Sequence, residues 1–288
     1  MSNRDWSLIW FTTLAQWSVG IVLSFTLPVM FAHDSSQVFE TGLSLSNPVL
    51  LALIFIGIAT TSSFLHLGNP ANAPNALKNL SRSWLSREIL AIGLFSLSLV
   101  FMLLSEWIAG QSEYLKFLML VSSIFGLGLL WMMIRIYVMP TIPAWNSWYT
   151  PVSFVSTALS LGLLTFLSLH ASTIVSTNDQ IAGQFWNALV VVLLIEIVSG
   201  FAHQSNLVKI DSGIDELIFN SGTFHRIVLL RMAILTIACL VTIVFAFKPD
   251  LLPDNGNSFW ISLLFLSVIV QELMGRLLFY SSYFRIGV

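Results

Sequence analysis

Long apolar stretches alternate with short polar connectors along the whole chain. A helix needs about 20 apolar residues to cross the hydrocarbon core of a bilayer. Eight stretches meet that length, at approximately 6–32, 48–67, 88–109, 116–138, 151–175, 185–203, 226–247 and 258–281. Because backbone groups in lipid must be hydrogen-bonded within their own segment, each stretch is predicted to be an α-helix. The pattern therefore predicts an all-α integral membrane protein with eight transmembrane helices.

The composition favours a membrane protein over a soluble one. Of 288 residues, 56% are hydrophobic and 9% are charged, and the mean hydropathy is +0.86. A soluble domain carries roughly 25% charged residues. The net charge of −2 gives no indication of an acidic partner, and we expect no nucleic-acid partner. The single cysteine, Cys239, allows no internal disulfide and no cysteine-based metal or iron–sulfur site.

A short similarity between two stretches suggests an internal duplication. The second stretch ends with SFLHLGN, starting at Ser63, and the sixth ends with GFAHQSN, starting at Gly200. Phe, His and Asn align in these two segments. We therefore predict a single transmembrane bundle made of two four-helix halves, roughly 1–145 and 146–288, related as parallel repeats.

An even number of spans places both termini on the same side of the membrane. Of the 12 lysines and arginines, all but Lys116 and Lys248 fall nearer to that side. The positive-inside rule then makes the terminal side cytoplasmic. Some of the arginines lie within the apolar stretches, but the bias persists when they are left out.

Several charged residues lie inside the predicted spans. A charged side chain at the centre of a bilayer costs about 2.5–3.5 kcal/mol on insertion scales, so each one needs a partner or a function. The simpler interpretation is mutual neutralisation, with a glutamate paired to a neighbouring arginine to hold the bundle together. The residues concerned are Glu196, Arg231, Glu272 and Arg276. Arg135 stands near the end of the fourth stretch, at a position that corresponds to Arg276.

One histidine and one glutamate stand out as candidates for proton transfer. His66 ends the second predicted span and Glu88 begins the third, so the connector returns both to the same membrane face. An imidazole and a carboxyl at the rim of an apolar pocket suit proton exchange with a lipid-soluble hydroxyl compound. The alternatives are structural: His66 as a C-terminal helix cap, and Glu88 as an N-terminal residue favoured by the helix dipole.

The histidines do not favour a haem site. A bis-histidine haem needs two histidines at similar depth on facing helices, and only His66 and His203 meet that condition, provided that the duplication holds. No zinc-type spacing is visible, so we expect no metal and no haem in this chain. The five histidines are His33, His66, His170, His203 and His225.

Five segments, spread in order over nearly the whole chain, resemble the membrane-anchor subunit of bacterial dimethyl sulfoxide reductase, the DmsC family. The most specific element is His-Leu-Gly-x-Pro at His66, followed about twenty residues later by Glu88. The sequence WMMIRIY with a later WYTP strengthens the resemblance. The matching segments are residues 11–20, 62–89, 131–154, 225–231 and 271–280.

The resemblance implies a role in anaerobic respiration at the bacterial cytoplasmic (inner) membrane. The family anchors a molybdopterin catalytic subunit and an iron–sulfur subunit, oxidises menaquinol, and holds no haem. Its quinol-site histidine falls on His66 and its acidic partner on Glu88. Arg135 and Gln16 match further positions of the family pattern and are taken as additional quinol-binding residues.

The resemblance also implies a docking surface. The basic segment with Lys78, Arg82 and Arg87 is the candidate surface for the iron–sulfur subunit, and its alternative is a loop that binds lipid headgroups or sets topology. Family members usually serve periplasmic partners, which would place the terminal side outside. The charge bias indicates the opposite side, so the two lines of reasoning disagree.

Two other functions fit the same pattern less well. A secondary transporter also has repeats and intramembrane charges, but it should show helices broken by Gly or Pro at mid-bilayer. The prolines here fall mainly in connectors and at span starts, with Pro28 as the exception. The third possibility is a structural anchor without quinol chemistry.

Overall fold

Eight α-helices make up almost all of the structure that can be described. The computed structural model describes residues 3–31, 46–64, 77–109, 113–169, 180–211, 222–247 and 257–283, and contains no strand within those ranges. All eight helices are long and apolar enough to cross a membrane. This confirms the predicted all-α fold class. The helices are α1 (Asn3–Phe31), α2 (Ser46–Phe64), α3 (Trp84–Ala109), α4 (Glu113–Tyr137), α5 (Tyr149–Leu169), α6 (Gln180–Asp211), α7 (Gly222–Phe247) and α8 (Asn257–Ser281).

Several helix boundaries differ from the predicted ones, and two of the differences have identifiable reasons. Helix α3 begins at Trp84 because the Ser83 hydroxyl caps it, accepting a hydrogen bond from the Ser86 amide at 3.2 Å. The prediction that Glu88 begins this helix is therefore wrong, because Glu88 lies in the second turn of α3. Helix α6 continues to Asp211, eight residues past the predicted end of the sixth stretch at residue 203. Leu207 explains the extension, since it is buried in the helix-packing surface.

Backbone contacts divide the chain into two compact units, Met1–Ile136 and Tyr137–Val288. The first unit carries α1 to α3 and all but the last residue of α4. The second unit carries α5 to α8. The repeat relationship between halves 1–145 and 146–288 stays a prediction, because a division into units does not demonstrate a duplication.

Hydrogen bonds from serine hydroxyl groups connect helices of the first unit. Helix α1 packs along α2, and α2 packs along α3. The Ser18 hydroxyl donates to the Ala52 carbonyl at 2.7 Å, and the Ser62 hydroxyl donates to the Ser7 carbonyl at 3.0 Å. Small hydroxyl side chains allow helices in a membrane to approach closely and to bond across the interface.

The second unit is a closed ring of four helices. Helix α5 packs against α6 and α8, and α7 packs against the same two helices. Aromatic side chains close one end of this ring. The Trp145 indole stacks on Phe279 at a centroid distance of 5.1 Å, and its Nε1 donates to the Phe279 carbonyl at 2.7 Å. The hydroxyls of Tyr137 and Tyr280 lie 2.7 Å apart beside this pair.

Candidate functional site

Glu88 is a buried carboxylate with an unsatisfied oxygen. Its side chain in the second turn of α3 is 4% exposed, and its Oε1 has no hydrogen-bond partner among the described residues. Buried polar atoms are nearly always hydrogen-bonded, and an unpartnered carboxylate in an apolar setting is costly. The burial of this carboxylate therefore does not stabilise the fold.

His66, the predicted partner of Glu88, lies outside the described residues. Helix α2 is described as far as Phe64, and the description resumes at Leu77. The predicted closeness of the imidazole and the carboxyl therefore stays a prediction.

The other two predicted quinol-site residues differ in environment. The Gln16 side chain is fully buried in α1. Arg135 is exposed in the last turn of α4, and its guanidinium carbon lies 5.0 Å from the centroid of the Trp84 ring. Trp84 stands one helical turn before Glu88, so the two share a face of α3. Arg135 thus approaches the helix face that carries the buried carboxylate.

The three cations predicted to dock a partner do not share one role. Lys78 and Arg82 are exposed. Arg87 is half-buried, and its Nε and Nη2 donate to the Leu80 and Ser81 carbonyls at 2.8 Å each. Arg87 therefore holds the turn that leads into α3, which leaves Lys78 and Arg82 as the exposed charges of this segment.

The intramembrane charges of the second unit form a buried network. Arg231 on α7 donates from Nη2 to Glu196 Oε1 on α6 at 2.6 Å, which confirms the predicted neutralisation for this pair. Arg231 also donates to the Tyr149 hydroxyl at 3.1 Å and to the Gln271 carbonyl at 3.3 Å. One guanidinium thereby connects all four helices of the unit.

Glu272 and Arg276 meet at hydroxyl groups of α5. Glu272 accepts hydrogen bonds from Thr157 at 2.8 Å and from Ser160 at 2.9 Å. Arg276 donates from Nη2 to Thr157 Oγ1 at 2.8 Å and to the Ser153 carbonyl at 3.3 Å. The network thus contains two carboxylates and two guanidiniums, and their formal charges add up to zero. These groups belong to Glu196, Glu272, Arg231 and Arg276.

The sequence reasoning missed the α5 members of this network. Ser153, Thr157 and Ser160 are spaced by four and three residues, which places them on one helix face. That polar stripe was the available signal, although hydroxyl side chains are common in membrane helices. Tyr149 gave no signal, because its partner on α7 is 82 residues away in sequence.

His203 lies beside this network. Its ring stacks on Tyr149 at a centroid distance of 4.0 Å, and its Nδ1 has no hydrogen-bond partner among the described residues. No three His, Cys, Asp or Glu side chains of the described ranges group as metal ligands. The histidines at 33, 66 and 170 lie outside those ranges, so the expectation of no haem stays a prediction.

Gly275 is expected to be intolerant of a side chain. A Cβ at this position would lie 2.9 Å from Cζ and Nε of Arg231, whose hydrogen bonds fix the guanidinium in place. Gly275→Ala should lower the free energy of unfolding by about 1–3 kcal/mol, as overpacking does. Reversible unfolding in mixed detergent and SDS measures this. Gly93→Ala is the matched control, because nothing lies within 4 Å and alanine favours a helix by about 1 kcal/mol. Equal stability of the two variants would contradict the proposed crowding.

Comparisons with known proteins agree over almost the full length of the sequence. A family model described as DMSO reductase anchor subunit (DmsC) matches residues 1–282. The protein is 25% identical to the C subunit of the anaerobic dimethyl sulfoxide reductase of Escherichia coli K12, over 99% of its own length and 97% of the relative.

Two further relatives show similar identity and coverage. The C subunit of the anaerobic dimethyl sulfoxide reductase of Haemophilus influenzae is 27% identical, over 98% of this protein and 95% of the relative. The YnfH subunit of an anaerobic dimethyl sulfoxide reductase of Escherichia coli K12 is 24% identical, over 99% of this protein and 97% of the relative. With eight membrane-length helices and a family match over almost its whole length, the chain is a multi-pass membrane protein that belongs to the DMSO reductase anchor subunit (DmsC) family.

Proposed function

We propose that this protein binds and oxidises menaquinol in the bacterial inner membrane and passes the electrons to an iron–sulfur subunit. That subunit would pass them to a molybdopterin catalytic subunit, which the protein also anchors. Family membership supports the anchoring role and the two partners. The observation that carries the quinol chemistry is the buried Glu88 with its unpartnered oxygen.

The proposed chemistry assigns a proton-accepting role to this protein. Oxidation of a quinol releases two electrons and two protons, and the protons need acceptors within hydrogen-bond reach of the quinol hydroxyls. A carboxylate in a site shielded from water is a stronger proton acceptor than one in bulk water. Glu88 accepts a proton in this scheme, and His66 binds one quinol oxygen and accepts or relays the other proton. The 68–87 segment then leads the protons to water.

Gln16 and Arg135 have supporting roles in this proposal. The Gln16 amide, fully buried in α1, provides a neutral hydrogen-bonding group of the kind that orients a quinol oxygen. The Arg135 guanidinium stands against Trp84, one turn from Glu88. In this proposal the guanidinium donates a hydrogen bond to a quinol oxygen, because an arginine side chain carries donors and no acceptor.

The docking proposal rests on the exposed cations Lys78 and Arg82. Both lie just before the span that carries Glu88, so a partner bound there stands close to the quinol site along the chain. Exposed charges of one sign steer a partner of the opposite sign. An acidic surface on the iron–sulfur subunit suits this segment.

The competing functions have less support. Within the described helices Pro28 lies inside α1, whereas Pro48 and Pro151 stand in the first turns of α2 and α5. Prolines in first turns do not break helices at mid-bilayer as transporter sites require. A structural anchor without quinol chemistry shares the family membership, so only a measurement of quinol oxidation separates it from the proposal.

The proposal is tested in the purified complex with its two partner subunits. His66→Leu is expected to slow menaquinol-driven reduction of the iron–sulfur clusters by about 10²-fold or more, because the quinol loses a hydrogen-bonding proton acceptor. Rapid mixing with spectroscopic detection of the clusters measures the rate. Reduction of the same clusters by dithionite is the control and should be unchanged. A wild-type rate of quinol-driven reduction in His66→Leu, with unchanged binding of a quinone-site inhibitor, would refute the proposed site.

A further inference from the structure

A small cavity with both polar and apolar walls opens between the four helices of the second unit. Its volume is about 30 Å³, and it is partly enclosed. It extends from Leu207, which ends the sixth span, inward to Gly200 on the same helix. At 1.5 Å per residue this depth is about 10 Å. We call this space, lined by Tyr149, Gly200, His203, Val228, Arg231 and their neighbours, the His203 cavity.

The walls of the His203 cavity offer hydrogen-bonding capacity that the described residues leave unused. His203 is 9% exposed, and its Nδ1 has no partner among those residues. The Tyr149 hydroxyl accepts from Arg231 and retains its own proton for a further acceptor. A buried polar atom without a partner costs about 1–3 kcal/mol, so a ligand that satisfies it is favoured.

Size and charge identify the ligand. Because the Arg231–Glu196 pair beside the cavity is internally neutral, the walls attract a neutral polar ligand and not an ion. A cavity needs about 10–15 Å³ to hold one water molecule, so 30 Å³ holds one to three. The ring of a quinol requires several times that volume. Water is therefore the neutral, hydrogen-bonding ligand whose size fits the His203 cavity.

We infer that the His203 cavity is a water-binding site that hydrates the Arg231–Glu196 pair from the membrane surface. Water there bonds to His203 Nδ1 and to the Tyr149 hydroxyl. The Arg231 side chain lines the cavity and is bonded to Glu196 at 2.6 Å, so the charge pair has contact with water in spite of its burial. This inference is independent of the quinol chemistry proposed for the first unit.

Cysteine accessibility tests the inference in the full-length protein. Hydrogen peroxide, a hydrophilic oxidant little larger than water, converts thiolates to sulfenic acids, and thiolates form only where water reaches the sulfur. The native thiol is buried, and Cys239→Ala removes it from the background. In that background Val228→Cys lines the cavity, whereas Leu229→Cys, one residue further on α7, lies on the exposed apolar surface of the unit. We expect the thiol at 228 to react about tenfold faster or more.

Equal, slow reaction at both positions would overturn the inference. Should either variant fail to fold, Gln204→Cys and Phe201→Cys form a second pair on α6, the first lining the cavity and the second exposed on the apolar surface. A bound amphiphile in place of water would also overturn it. In that case the thiol at position 228 reacts slowly at first and fast after detergent exchange has removed the amphiphile. Mass spectrometry then identifies the released molecule.

The stability of His203→Phe gives an independent readout. Phenylalanine keeps the stack on Tyr149 and removes the unpartnered nitrogen. If water occupies the cavity, that water loses a partner and the variant unfolds at a lower SDS fraction than wild type. If the cavity is dry, the variant loses an unsatisfied polar atom and unfolds at a higher fraction, which would contradict the inference.

Discussion

Glu88→Gln is expected to slow menaquinol-driven cluster reduction by about 10²-fold or more and to leave the protein at least as resistant to unfolding as wild type. Glutamine keeps the volume of the side chain and removes its ability to accept a proton. The carboxylate is 4% exposed and its Oε1 has no partner in the described part of the chain. The neutral amide therefore avoids a desolvation cost that the charged form carries.

The two readouts together distinguish a functional carboxylate from a structural one. A structural role would produce a loss of stability, because breaking a buried pair leaves an uncompensated charge. Rates are measured in the complete complex and stability by SDS titration of the same preparation. Glu106→Gln, at the other end of α3, is the matched control and should leave the rate unchanged. An unchanged rate in Glu88→Gln would remove Glu88 from the proposed mechanism.

The fold was predictable because length and hydropathy dominate in a membrane. A segment of twenty apolar residues has few alternatives to a helix, so all eight helices were found. Boundaries depend on local detail instead. The Ser83 cap starts α3 four residues early, and Leu207 continues α6 past its predicted end because it is buried against neighbouring helices.

The candidate sites were only partly predictable, because side-chain partners come from distant segments. Arg135 and Arg276 stand in similar sequence contexts near helix ends. Arg276 is 1% exposed and bonds to Thr157, whereas Arg135 is exposed and stands over the Trp84 ring. Hydropathy along one helix does not show which face a neighbour covers. The sequence therefore shows which residues within the helices are charged, but it does not show which side chains they contact.

Arg231→Met is expected to lower the free energy of unfolding by about 3–5 kcal/mol, because it leaves Glu196 as a buried, uncompensated charge. The guanidinium donates to Glu196 at 2.6 Å, to Tyr149 at 3.1 Å and to the Gln271 carbonyl at 3.3 Å. Lysine cannot reproduce this planar arrangement of donors, so Arg231→Lys should recover only part of the loss. Reversible unfolding in SDS and mild detergent measures both variants. Arg135→Met is the exposed control, with an expected change within about 0.5 kcal/mol.

The double variant Arg231→Met with Glu196→Met separates the pair from its surroundings. Removing both charges replaces a buried ion pair by apolar side chains, which is often neutral. Most of the stability lost in Arg231→Met should therefore return, and the coupling energy of the double-mutant cycle should be large. A double variant that loses the sum of the two single losses would show that the two residues do not interact. That outcome would also contradict the network, since Arg231 would then be held by Tyr149 and Gln271 alone.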